Sequence, residues 1–363
     1  MTDNLAGNLN NRLDSLHTMR GLAAITVMLF HFSWIIDSAY DGLGNSLMKY
    51  GCLGVDIFFI ISGFVISMSS SKANSNLNGC FVFVKHRLKR LLPAYYFWLL
   101  VAFLTGGAMS TFHYPDKIEN LISAVTMTPV TSQNGPLYLN NENMYGIRWS
   151  LIYEMYFYLL VTFSLLVKNR TFALTLIIIS MVLVVPVVIG LSPTLSDTGI
   201  ASSHKYLNLA TNPIIILFLY GVIFQKLYKH VTVLSVLARR IFGMIFLIIS
   251  LAGIYFEQHV THGPLSGGLY MLLFFVALTI NEDLFKNKTP KLLLFFGNIS
   301  YSLYLIHTLM NTGLDKRLTE IGLPNGWFKL ALYCLISIVL AYASYHFIER
   351  PFFKRNTKRA VLE

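Results

Sequence analysis

His31 is the first residue whose chemistry stands out. It sits in the stretch MRGLAAITVMLFHFSW, residues 19–34, among Leu29, Phe30, Phe32 and Trp34, and follows Arg20 by eleven residues. On an α-helix that separation is about 16 Å and about three turns, so the guanidinium and the imidazole share a face at two depths. Arg20 reads as a topology anchor or as an anion ligand. His31 reads as a helix–helix hydrogen-bonding group or as a proton-transfer group, because imidazole changes charge near neutral pH.

Asp56 falls in a second such stretch, GCLGVDIFFIISGFVIS, residues 51–67. Gly51, Gly54 and the Ser62-Gly63 pair suit close helix packing. The carboxylate, roughly 8 Å inside the end of its span, needs a partner or water. His31, approaching from the opposite direction, is an available partner, and a carboxylate that orients an imidazole makes a general base. Glu154 lies in RWSLIYEMYFYLL, residues 148–160, about two turns into another span. Tyr153, Tyr156 and Tyr158 surround it in sequence, a set that suits sugar hydroxyls or an aromatic belt.

Cations gather in KHRLKRLLPAYY, residues 85–96, before a helix whose first turn is expected to hold Pro93. Arg87 and Arg90, at i and i+3, can face one way and grip phosphate. With Arg20 at the same surface they can hold a cytoplasmic polyphosphate; they also satisfy the need for charge at a membrane boundary. His307, roughly 22 Å along the helix of NISYSLYLIHTLM, reads equally as a structural or a functional histidine. Glu349, in FIERPFF, reads as structural. Cys52, Cys80 and Cys334 match neither a metal motif nor a disulfide framework, and no metal site is expected.

The elements that must position these groups are membrane helices. Hydrophobic residues make up 55% of the 363 and charged residues only 12%, half the fraction of a soluble domain, and mean hydropathy is +0.59. The sequence predicts an all-α integral membrane protein with about ten spans. They lie near 21–37, 51–70, 90–107, 149–167, 172–191, 207–225, 240–257, 265–281, 292–311 and 327–348. On that count both termini share a side with 21 of the 28 Lys and Arg residues, which places both termini in the cytoplasm. The net charge of +11 then reflects topology and contact with anionic lipid, and no nucleic-acid partner is expected. Residues 1–363 read as one polytopic domain, with a short cytoplasmic segment 1–19, a basic tail 352–363 and no soluble C-terminal domain. The polar start implies no cleavable signal peptide. Residues 108–148 form the longest loop, expected outside as a partial lid.

These stretches, in this order, resemble the membrane-bound acyltransferase-3 family, which includes bacterial O-antigen and exopolysaccharide O-acetyltransferases. Arg20, ten residues, then His31 resembles its first-helix signature. GVDIFFIISGF, Arg87-x-x-Arg90 with Leu-Leu-Pro-Ala-Tyr, the Trp-Ser-Leu segment with Glu154, the segment ending at His307 and Ile-Glu-Arg-Pro fit in turn, from about residue 14 to 355. The resemblance implies an acyl donor, acetyl-coenzyme A or another acyl-coenzyme A, taken from the cytoplasm. It implies a hydroxyl acceptor on a surface or lipid-linked saccharide, and a bacterial inner membrane. Because some relatives carry an added esterase-like domain, it leaves two modes: acting alone, or passing the acyl group to a separate periplasmic protein.

The resulting expectation is an O-acyltransferase. Arg20, Arg87 and Arg90 bind the coenzyme A phosphates. His31 is the general base, oriented by Asp56 or Glu154, or else a transient acyl carrier. Tyr153, Tyr156 and His307 are substrate-contacting or structural. Two other classes compete: a proton-coupled transporter using the buried His, Asp and Glu, to which the sequence gives neither an inverted repeat nor paired broken helices, and a non-catalytic membrane scaffold or sensor, which leaves those buried groups unexplained.

Overall fold

In the computed structural model, residues 13–352 are described, apart from 72, 107, 141–144, 258–260, 312–314 and 321. Most of the segment 1–19 and of the tail 352–363, with Arg12, Lys72 and the tail cations, therefore lies outside the described residues. All regular structure among the described residues is helical.

Apolar length explains the helices. In lipid each backbone N–H and C=O must be satisfied within its own segment, which a helix does. Leaving out the short helices Ala108–Thr111, Val185–Val188 and Asp315–Glu320, they are in order α1 (Asp14–Asp37), α2 (Leu43–Met48), α3 (Gly54–Ser70), α4 (Leu77–Gly106), α5 (Pro115–Thr126), α6 (Arg148–Ser164) and α7 (Arg170–Ile179). There follow α8 (Lys205–Thr211), α9 (Ile216–Thr232), α10 (Val236–Phe256), α11 (Gly267–Thr279), α12 (Lys291–Leu309) and α13 (Trp327–Ser344). Helix occurs at every expected span. Among the described residues, eight segments are long and apolar enough to cross a membrane. The two remaining expected spans fall on α6, with 17 residues, and α11, with 13.

Three differences from the sequence reading move functional residues. The second span runs from Leu43 to Ser70 as α2, a 3-10 stretch Lys49–Leu53, and α3. Asp56 therefore lies thirteen residues, roughly 20 Å, along that segment and not 8 Å. The third begins at Leu77, so Arg87, Arg90 and Pro93 are inside one 30-residue helix and Pro93 is not in its first turn. There Pro93 cannot donate to the carbonyl of Lys89. The last span ends in a π-helical stretch, Tyr345–Glu349, which re-aims Glu349 to accept from the Ser302 hydroxyl.

Small residues set the packing. A Cβ at Gly63 would run into the Phe218 carbonyl, and one at Gly221 into that of Ile60, so α3 and α9 touch backbone to backbone. Gly54 meets Ala23 and Val27 of α1 in the same way, and Gly21 of α1 meets Gly297 of α12. The start of α1 is held from outside: the Glu282 carboxylate accepts from the backbone N–H of Asp14 at 2.7 Å and of Ser15 at 3.1 Å. That caps donors a helix start leaves unpaired. In the 108–148 loop, α5 supplies Asn120 and Ser123. Both accept from the fully buried Arg148 guanidinium, at 2.9 and 3.3 Å, and so fix the start of α6.

Candidate functional site

Arg20, Arg87 and Arg90 converge. The first comes from α1 and the others from α4, and they line one cleft with Val55, Phe58, Phe59 and Ser62 of α3, Ser150, Glu154 and Tyr158 of α6, and Tyr301 and Tyr304 of α12. The cleft encloses about 770 Å³ of non-atom space, part of it open to solvent. Three guanidinium groups from two helices on one wall can hold a multiply charged anion by forked hydrogen bonds. Arg87 donates to Ser69 and stacks on Phe83, with its guanidinium carbon 5.4 Å from the ring centroid.

Glu154 faces the same cleft. It accepts from Tyr158 at 2.6 Å and from Ser62 at 3.3 Å. Tyr158, at i+4, shares its helix face; Tyr153 and Tyr156 do not. Tyr153 is fully buried, edge-on to Trp149 and Phe59, and Tyr156 donates to the Ala210 carbonyl at 3.0 Å. The expected ring of tyrosines around Glu154 is thus reduced to Tyr158, because a turn of 100° per residue points the others away.

His31 is neither in this cleft wall nor beside a carboxylate. Its ring lies 4.9 Å from that of His307, centroid to centroid, and 5.2 Å from Phe30. His307 is fully buried. Its Nδ1 is 3.1 Å from the Leu303 carbonyl, which can only accept, so Nδ1 carries the hydrogen and Nε2 the lone pair. Nε2 has no hydrogen-bond partner among the described residues. Helix register explains the pair. Gly21 meets Gly297, and ten residues further on each helix come His31 and His307, so α1 and α12 run parallel in step. Tyr304 links the pair to the cleft: it lines the cleft, its ring is 5.7 Å from His307, and its hydroxyl is 2.6 Å from that of Ser150.

The expected pairing of Asp56 with His31 is not formed. Asp56, fully buried, has Oδ2 2.7 Å from Nδ1 of His262. Glu154 does not reach His31 either, its bonds going to Tyr158 and Ser62. The reason for the first is the 3-10 stretch, which sets Asp56 deeper and turns it toward the loop between α10 and α11. His262 went unread in the sequence. Its signal was the segment THGPLSGG, residues 261–268, a histidine in glycine-proline backbone just before a short apolar run.

Among the described residues no cluster of His, Cys, Asp and Glu suits a metal ion. No solved structure matches the chain. The exopolysaccharide production protein ExoZ of Rhizobium meliloti (strain 1021) is 27% identical over 350 residues, covering 92% of this chain and 97% of that protein. The O-acetyltransferase OatA of Staphylococcus aureus (strain NCTC 8325 / PS 47) is 26% identical over 374 residues; 95% of this chain matches 58% of its length. The family model for an acyltransferase domain matches residues 13–346, through both the arginine cleft and the pair of His31 and His307, and the chain belongs to that acyltransferase family.

Proposed function

We propose that this acyltransferase moves an acyl group, in the simplest case acetyl, from acyl-coenzyme A to a hydroxyl of a cell-surface or lipid-linked saccharide. The observation that carries the reading is one chain of side-chain contacts. Arg20, Arg87 and Arg90 line a cleft whose other lining includes Tyr304, and Tyr304 touches His307, which faces His31. From Gly297, level with Gly21, Tyr304 is seven residues or about 10 Å further along. The charge distribution supports an arginine end toward the cytoplasm, where acyl-coenzyme A is made. Relatives named for exopolysaccharide production and O-acetylation support a saccharide hydroxyl as acceptor.

In this reading the arginines hold the donor's phosphates and direct the thioester toward the Tyr304 end of the cleft. Without a carboxylate neighbour, His31 serves best as the acyl carrier. Its unprotonated nitrogen attacks the thioester carbon, the C–S electron pair leaves with the thiolate, and the ring's N–H proton passes by way of Nε2 of His307 to that thiolate, so both rings end neutral. The acceptor hydroxyl then attacks the acyl carbon, the C–N electron pair returns to the ring, and the hydroxyl's proton restores the neutral imidazole.

Purified protein in nanodiscs with radiolabelled acetyl-coenzyme A tests this. Donor consumption in wild type and its loss in His31→Ala, with donor binding kept, is the expected result. Label retained on the wild-type protein supports the carrier; turnover with no labelled protein would return His31 to the role of base. No binding and no turnover with any acyl donor would overturn the acyl-coenzyme A reading.

A further inference from the structure

The dyad of Asp56 and His262 belongs to none of the steps above. We infer that His262, oriented by Asp56, is the proton acceptor for the saccharide hydroxyl. The inference rests on the acyl-transfer reading and adds to it a second histidine, at a second place.

The loop that carries His262 is built to hold it. Gly263 takes φ +124°, a conformation that favours glycine, and its N–H points to Asp56 Oδ1 at 3.5 Å. The N–H groups of Gly267 and Gly268 return to the carbonyls of Thr261 and Gly263 at 3.0 and 2.9 Å. Tyr220 of α9 donates to the Pro264 carbonyl at 2.9 Å. Irregular backbone packed inside a membrane bundle is tolerated where it is buried in protein or lines a cavity. Here it replaces the first turns of α11 and places an imidazole against a buried carboxylate.

The chemistry of the pair is specific. Asp56 is a carboxylate acceptor, so Nδ1 of neutral His262 donates to it and Nε2 keeps the lone pair. The His262 side chain retains 18% exposure, whereas that of Asp56 has none. The ring is therefore partly exposed and its orienting group is not. The acidic groups that face it are Asp56 from α3 and Asp197 from the loop before α8, which packs against Gly263. Glu257, at the end of α10, is instead engaged by Ser266 at 2.6 Å. On the other side the Trp149 ring lies 5.4 Å from His262 and 6.0 Å from Phe59, a residue of the cleft wall. The Trp149 ring is thus in contact with both the dyad and the cleft wall.

In the step, the acceptor O–H proton goes to Nε2 of His262, and Asp56 stabilises the imidazolium. The hydroxyl oxygen forms a bond to the acyl carbon. The bond from that carbon to its carrier, His31 nitrogen or thioester sulfur, breaks, and the electron pair leaves with the carrier, which takes up the proton when His262 returns to neutral.

The test uses native membranes carrying the full chain and supplied with radiolabelled acetyl-coenzyme A. It follows alkali-labile label in the saccharide fraction, and separately donor binding and label on the protein. His262→Gln should lower saccharide labelling by about 10²–10⁴-fold, the range for general base catalysis, and leave donor binding and protein labelling unchanged. Asp56→Asn should lower it less. It should also move the rising limb of the pH profile to lower pH, because the lost carboxylate had favoured the protonated ring. Wild-type saccharide labelling in His262→Gln would overturn the inference, as would a parallel loss of donor binding and transfer in both variants, which marks a structural pair. Wild-type membranes that bind no donor and label nothing would instead overturn the acyl-transfer reading beneath it.

Discussion

The two histidine sites differ in what lies against the ring. His31 and His307 pack on each other: the neighbour is a second imidazole 4.9 Å away, and beyond it a backbone carbonyl. His262 is held by a carboxylate at 2.7 Å. A ring with only neutral neighbours in a dry bundle has nothing to offset a positive charge, and favours work in which it ends neutral. A ring on a carboxylate can accept a proton and keep it for the length of a reaction step. On the proposed roles, the comparison teaches that the group lying against a histidine assigns its work.

The comparison breaks most sharply at His307. If its Nε2 takes the proton from His31, His307→Asn should slow acyl loading by about 10²–10⁴-fold. Donor affinity should stay near wild type, because His307 is not among the residues of the arginine cleft. Single-turnover labelling of the protein in His307→Asn checks this. Loading at the wild-type rate would reduce His307 to packing and leave the two sites without contrasting roles.

The sequence carried part of this division. It located a helix at every expected span, though not α5 within the 108–148 loop, and it grouped Arg20, Arg87 and Arg90 although the third span begins ten residues before Arg87. It also carried an unused signal for the histidine pair: Gly21 and His31 have the same spacing as Gly297 and His307, and two parallel helices touching at the glycines must touch again at the rings. The partner of Asp56 was not legible. Hydropathy began the span at Gly51, whereas the chain enters it at Leu43 and passes through a 3-10 stretch, so depth and facing were both misjudged. Nor does hydropathy register a polar loop folded back into a bundle, which is how His262 was passed over.

A smaller effect is expected at the cleft. Arg90→Ala should raise the donor KM by about tenfold or more, since a charge-assisted hydrogen bond is worth roughly 1.5–3 kcal/mol. The penalty should be largest at low ionic strength and shrink as salt screens the remaining arginines. Steady-state kinetics at two salt concentrations would measure it. An unchanged KM would detach the arginines from the donor, and the path to His31 would lose its starting point.

The smallest expected effect concerns what keeps the first helix in register. Arg20 and His31 both ride on α1, whose start is capped by the Glu282 carboxylate through the N–H groups of Asp14 and Ser15. Glu282→Gln keeps one acceptor oxygen, turns an amide N–H₂ toward backbone donors and removes a negative charge from a helix start. That should cost about 1 kcal/mol. Thermal unfolding in detergent would record it as a modest fall in midpoint. Because the contact between Gly21 and Gly297 still fixes α1 on α12, the His31–His307 spacing should hold, and acyl loading should stay near wild type while stability falls. Loss of loading larger than the loss of stability would mean that the Glu282 cap, and not the glycine contact, sets the register of the histidine pair. The dyad of Asp56 and His262, held by α3, α9 and its own loop, would then be the only one of the two sites whose geometry is independent of the first helix turn.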